Sequence, residues 1–70
     1  MSKVNVYLAD GFEEVEGLTA VDLLRRAGIE TDMISIMGRK EITGARKIPV
    51  LADKLFEEQD VGFVFKEYSD

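Results

Sequence analysis

Cysteine, histidine and tryptophan are absent from this 70-residue sequence, and proline occurs only once. Without cysteine the chain has no disulfide, no thiolate metal site and no thiol nucleophile. Without histidine it lacks the commonest general base and the commonest metal ligand. A glycine-rich phosphate loop is missing as well, because residues 9–12 lack the glycines that such a loop requires. We therefore expect no bound cofactor.

Positive charge is scarce, since 14 acidic side chains outnumber 9 basic ones and the net charge is −5. This balance does not suit nucleic acid, whose phosphates call for a basic face. The bases occur largely as adjacent pairs, which we expect to be solvated charges of turns and helix ends: Arg25 with Arg26, Arg39 with Lys40, and Arg46 with Lys47.

Long apolar runs are also missing. None approaches the roughly 18 residues of a membrane span, and no signal peptide is visible, so we expect a cytoplasmic protein with no membrane partner. Residues 1–70 make at most one small domain. A chain of this size buries only about 60% of its unfolded surface, so packing or self-association must supply further stability.

The apolar pattern of the first half predicts a strand, a helix and a second strand. Residues 4–9 are apolar on both faces, which indicates a central strand of a parallel sheet. Residues 12–27 form a helix with the stripe Leu18, Val21 and Leu24, and Gly28 ends it. Residues 29–37 form the second strand, whose Glu30 and Asp32 suit a sheet edge.

The second half predicts a peripheral hairpin over residues 42–51, bent at 44–47, whose second arm lies at an edge because it contains Pro49. A short helix is expected within residues 52–59, and a third main strand runs from Val61 to Phe65. We expect an α/β fold with main strand order 2-1-3. Right-handed crossovers should then put the long helix on one face of the sheet and the short helix on the other. The third strand then leaves an apolar edge, which predicts a homodimer.

The turn after the first strand holds four acids, Asp10, Glu13, Glu14 and Glu16, where open α/β sheets place ligands. Such a group can hold Mg²⁺. However, Asp10 and Glu13 are explained as a helix cap and its capping box, and Glu14 is expected to face water. We therefore expect no metal. Glu16 lies beside the packed stripe, where burial favours the protonated acid. The composition alone nevertheless favours an ordinary surface acid at Glu16.

The segment LADGFEEVEGLTAVDLLRRAGIETDMISI, residues 8–36, resembles the start of the ThiJ/PfpI family, which includes the parkinsonism-associated deglycase and chaperone. The shared pattern is Gly-x-Glu-Glu-x-Glu after a buried strand, then Asp-Leu-Leu-Arg-Arg-Ala-Gly at the end of the helix. The segment ITGARKIPVLADKLFEE, residues 42–58, resembles the family's hairpin and following loop. The chain thus looks like the N-terminal portion of such a protein, truncated, engineered or otherwise abbreviated.

The resemblance implies a flavodoxin-like half-domain and a dimer. It also assigns Glu16 as the protonated glutamate that touches the family's reactive cysteine, a residue that this chain lacks. Three functions stay open. The first is a non-catalytic, self-associating fragment. The second is residual glyoxalase, deglycase or amidase activity that uses Glu16. The third is a half-domain that needs a complementary chain with the cysteine.

Overall fold

The computed structural model describes residues 3–58 and 63–67 of the chain, which contain six strands and two helical segments. In chain order the elements are β1 (Lys3–Leu8), α1 (Glu14–Arg26), β2 (Glu30–Ser35), β3 (Glu41–Thr43), β4 (Pro49–Leu51), β5 (Lys54–Leu55), a 3-10 helix (Phe56–Glu58) and β6 (Phe63–Glu67).

The main sheet is parallel and has the strand order β5-β2-β1-β6. β1 lies between β2 and β6 and pairs with both over most of its length. Its residues Asn5, Val6, Tyr7 and Leu8 are all buried, as expected for a strand covered on both faces. The predicted order 2-1-3 of the main strands is therefore confirmed, and the fold is the predicted abbreviated α/β sheet.

The sheet contains one strand more than predicted. The short helix expected within residues 52–59 is present only as the 3-10 helix, and Lys54–Leu55 pairs with the end of β2 instead. Asp53 explains this difference. Its N–H donates to the Met33 carbonyl at 2.8 Å, and its carboxylate accepts the Met33 N–H at 2.8 Å. These contacts align the segment beside β2 and override its local helical preference.

Asp32 was assigned to a free edge, but it connects three neighbouring strands. Its half-buried carboxylate lies 2.7 Å from the Lys3 ammonium of β1 and 3.1 Å from the Lys54 ammonium of β5. Burial raises the pKa of Asp32, but the hydrogen bonds from the two lysines outweigh this and the pKa is lowered. An edge prediction based on charge alone misses such a pairing.

The third main strand extends further along the chain than predicted. The prediction ends at Phe65, whereas β6 comprises Phe63–Glu67 and pairs with β1 as far as Leu8. Val61 and Gly62, the first two residues of the predicted strand, lie outside the described residues.

Helix α1 is shorter than predicted, by two residues at its start and one residue at its end. The residue that precedes it is Glu13, and no side chain caps it, so the predicted capping box of Asp10 and Glu13 is wrong. At the other end, Gly28 has a φ of 79° and its N–H donates to the Arg25 carbonyl at 3.0 Å. Gly28 therefore closes the helix in the left-handed conformation that glycine favours.

The core lies between α1, one face of the sheet and the hairpin. It consists of Val6, Leu8, Phe12, Val21, Ile42 and Ala52, with Val4, Leu18, Leu24, Met33 and Val50 packed around it. The predicted helix stripe is part of this group. On the opposite face the ring of Phe56 packs against Tyr7 at 5.9 Å between centroids. The long and the short helix thus lie on opposite faces, as predicted.

The hairpin β3–β4 forms a separate antiparallel sheet. Its turn is closed by hydrogen bonds from the Gly44 N–H to the Ile48 carbonyl and from the Lys47 N–H to the Gly44 carbonyl, both 3.0 Å. Lys47 has a φ of 68°, in the left-handed region. The predicted hairpin and its bend are confirmed.

No helix in the described part of the chain is long and apolar enough to cross a membrane.

We expect Leu8→Ala to lower the free energy of unfolding by about 2–5 kcal/mol, because Leu8 is fully buried and its truncation leaves a cavity. Urea unfolding followed by circular dichroism measures this change. Leu51→Ala is the matched control, since Leu51 is 68% exposed and its truncation should stay within about 0.5 kcal/mol. Equal losses in the two variants would contradict the core described above.

Candidate functional site

The candidate site is the turn between β1 and α1, at the carboxyl end of the central strand, where ligands of open α/β sheets bind. Phe12 is fully buried and anchors this turn in the core. The Gly11 N–H donates to the Thr43 carbonyl at 2.8 Å, and the Ala45 N–H donates to the Phe12 carbonyl at 2.8 Å. The turn is therefore held against the hairpin as well as against the sheet.

Asp10 binds the hairpin and does not cap the helix. One carboxylate oxygen accepts the Thr43 N–H at 3.1 Å, and the other accepts a hydrogen bond from the Arg39 guanidinium. The hydrogen bond from Thr43 lowers the pKa of Asp10, and Arg39 lowers it further against the opposing effect of burial. The ionised form is thus the one that the structure stabilises.

Glu14 is buried, which corrects the prediction that it faces water. Its Oε2 accepts the Arg46 N–H at 2.8 Å and the Ile48 N–H at 3.3 Å. Burial opposes ionisation, but the backbone hydrogen bonds from Glu14 itself, Arg46 and Ile48, together with the Arg46 charge, lower the pKa of Glu14. Glu14 is therefore a buried carboxylate that binds the hairpin turn.

Gly44 makes room for this carboxylate. A methyl group built on Gly44 would overlap the Glu14 carboxylate, including its Oε2 and carboxyl carbon. An alanine here would force the Glu14 carboxylate to move away from its hydrogen-bond donors, so the hairpin turn fits around the acid.

Of the other two acids, one faces the hairpin turn as well and one is exposed. The Glu13 carboxylate lies 3.9 Å from the Arg46 guanidinium. Glu16 is exposed. Since residues of an α-helix are about 100° apart around its axis, Glu14 and Glu16 lie on roughly opposite sides of α1. Among the described residues no group of three or more acids could hold a metal ion. The four acids therefore do not converge on one centre.

The sequence reading missed the residues that these acids bind. Arg39 and Arg46 were interpreted as solvated charges, and Thr43, Gly44 and Ile48 carried no functional interpretation. The available signal was charge complementarity, because the acids cluster in one turn and paired bases flank the hairpin. That signal does not reveal which backbone N–H groups a carboxylate accepts.

Comparisons with known proteins agree on one family. The model of the DJ-1/PfpI family matches residues 2–65. Protein dj-1beta of Drosophila melanogaster is 40% identical over 48 residues, which cover 69% of this chain and 26% of that protein. The chain spans only 13–28% of the length of three curated relatives that it matches.

Solved structures share the same fold. The structure of oxidized Toxoplasma gondii DJ-1 superposes with a TM-score of 0.87 at 31% identity, and the match covers 96% of this chain and 38% of that one. A mutant DJ-1 superfamily protein from Salmonella typhimurium gives a TM-score of 0.80 at 36% identity, over 83% of this chain and 31% of that one. The resemblance found in the sequence is therefore confirmed.

We expect Gly44→Ala to destabilise the chain by about 1–3 kcal/mol, the usual cost of inserting a methyl group into a filled space. Urea unfolding measures the loss. In Glu14→Asp the carboxylate is one methylene shorter, so the double variant should lose less than the sum of the two single losses. Strictly additive losses would contradict the steric contact between Gly44 and Glu14.

Proposed function

Because the chain belongs to the DJ-1/PfpI family and yet contains no cysteine, we propose that it is a non-catalytic, self-associating α/β unit of the cytoplasm. The partner in this proposal is a second copy of the chain, which pairs through the edge of the sheet. The observation that carries it is the position of β6 at the end of the strand order β5-β2-β1-β6.

The edge of β6 is suited to association. Within the described part of the chain β6 pairs with β1 alone. The other side of an edge strand presents backbone N–H and C=O groups that a strand from another chain can satisfy. Two copies related by a two-fold axis would join their β6 strands antiparallel and form one continuous sheet. The predicted edge, from Val61 to Phe65, overlaps β6 at residues 63–65.

The proposal is non-catalytic because the chain provides no nucleophile of the kind its resemblance implies. Glu16 is the residue assigned by that resemblance, and it lies exposed on α1. A positioned acid or base alone accelerates a reaction by about 10²–10⁴-fold. Covalent chemistry needs an activated nucleophile in addition. We therefore propose that Glu16 occupies the position of the family's glutamate but has no nucleophile to assist.

We expect sedimentation velocity to show a dimer of the wild-type chain at tens of micromolar and a shift towards monomer in Val64→Lys. A charged side chain in an edge strand disfavours pairing with another edge. Leu51→Lys is the matched control, because it introduces the same charged side chain at an exposed position of the hairpin. A monomeric wild-type chain, or loss of the dimer in Leu51→Lys alone, would contradict pairing through β6.

The alternative is residual glyoxalase, deglycase or amidase activity based on Glu16. We expect no turnover of methylglyoxal above the buffer rate, because no thiol is present to attack the aldehyde. Product formation measured by chromatography checks this. Turnover that disappears in Glu16→Gln and persists in Glu57→Gln, which alters an exposed glutamate outside the turn, would favour the alternative. Activity that arises only on mixing with a chain that carries the family's cysteine would favour a complemented half-domain.

A further inference from the structure

We propose that the β3–β4 hairpin is an acid-sensitive latch. The carboxylates of Asp10 and Glu14 hold it on the β1–α1 turn, and their protonation releases it while the parallel sheet stays folded. This device is separate from the self-association proposed above, since it concerns the hairpin and not β6.

Carboxylates supply much of the bonding between the turn and the hairpin. Two hydrogen bonds are between backbone groups, from Gly11 to Thr43 and from Ala45 to Phe12. Three further hydrogen bonds run from hairpin N–H groups to ionised side chains, one to Asp10 and two to Glu14. Protonation removes the charge that strengthens such bonds, since hydrogen bonds to ionised acceptors are about twice as strong as neutral ones.

The charges around both acids favour their ionised forms. Arg39, from the loop between β2 and β3, faces Asp10, and Arg46, from the hairpin turn, faces Glu14. Glu13, beside Glu14 on the chain, itself lies 3.9 Å from the Arg46 guanidinium. The amino end of α1 adds positive potential at Glu14.

The direction of the pH effect is set by these contacts. The pKa values of Asp10 and Glu14 are both lower in the folded chain than the ordinary values of these groups. A carboxyl group of this kind stabilises the fold above its unfolded pKa of about 4. The stabilisation is lost as the pH falls through the lowered, folded value. The latch is therefore closed at neutral pH and weakens in acid.

The hairpin can open without unfolding the main sheet, because it belongs to a sheet of its own. Its release would withdraw Ile42 and Val50 from the core around Phe12. The backbone pairing of β1 with β2 and β6 would remain. Elements of one fold can open separately from one another in this way.

Amide hydrogen exchange of the wild-type chain, followed by NMR at a series of pH values from about 6 down to about 2, which extends well below the ordinary carboxyl pKa of about 4, tests the latch. After correction for intrinsic rates, we expect the Thr43, Arg46 and Ile48 amides to lose protection several-fold in acid. The amides of Val6 and Ile34 in the main sheet should keep theirs. Simultaneous loss of protection at all five amides, or no loss at the hairpin amides, would overturn the proposal.

Two variants separate the contributions of the Glu14 and Asp10 carboxylates to the latch. In Glu14→Gln the Arg46 and Ile48 amides should exchange faster at neutral pH and respond little to acid, and in Asp10→Asn the same should hold for Thr43. Glu16→Gln is the control, because it removes the same charge from an exposed position of the same helix and should retain the wild-type profile. A wild-type pH profile in both Glu14→Gln and Asp10→Asn would overturn the proposal. If Glu14→Gln also loses protection at Val6, that variant has unfolded more than the hairpin. The response of the Thr43 amide in Asp10→Asn then decides the test.

Discussion

The buried carboxylate of Glu14 is the contact on which the arrangement around the first turn depends. It lies at the amino end of α1, and its Oε2 accepts N–H groups of Arg46 and Ile48 from the hairpin turn. One side chain thereby joins the helix that covers the sheet to the hairpin that closes the core. Because burial alone favours the neutral acid, this contact needs its hydrogen bonds, and Gly44 leaves the space in which they form.

The sequence predicts the fold well wherever a local pattern decides it. The apolar residues of β1, the stripe along α1 and Gly28 at its end each act within a few positions, and crossover handedness sets which face of the sheet each helix covers. The predictions that were wrong depend on distant partners. Asp10 binds Thr43 and does not cap the helix. The predicted short helix yields partly to β5 because Asp53 pairs with Met33.

The same distinction applies to the candidate site. The Gly-x-Glu-Glu-x-Glu motif indicates both the family and the turn, and the structure gives two of its acids opposite surroundings. Glu14 is enclosed and bound by the hairpin, whereas Glu16 is exposed on the other side of the helix. Spacing in the sequence implies that the two point apart, since about 100° separates successive residues. It does not indicate which of them is buried, because that depends on where the hairpin packs.

The left-handed backbone at Lys47 has a consequence for the order of folding. A non-glycine residue in this conformation costs about 1–2 kcal/mol, so the isolated hairpin turn is a poor nucleus. The hydrogen bond that offsets this cost, from Arg46 to Glu14, closes a separation of 32 positions along the chain. Contacts so distant in sequence cost more loop-closure entropy than local ones. We therefore expect the hairpin to join β1 and α1 after these two have formed, so that the amino-terminal segment guides the assembly of the second half of the chain.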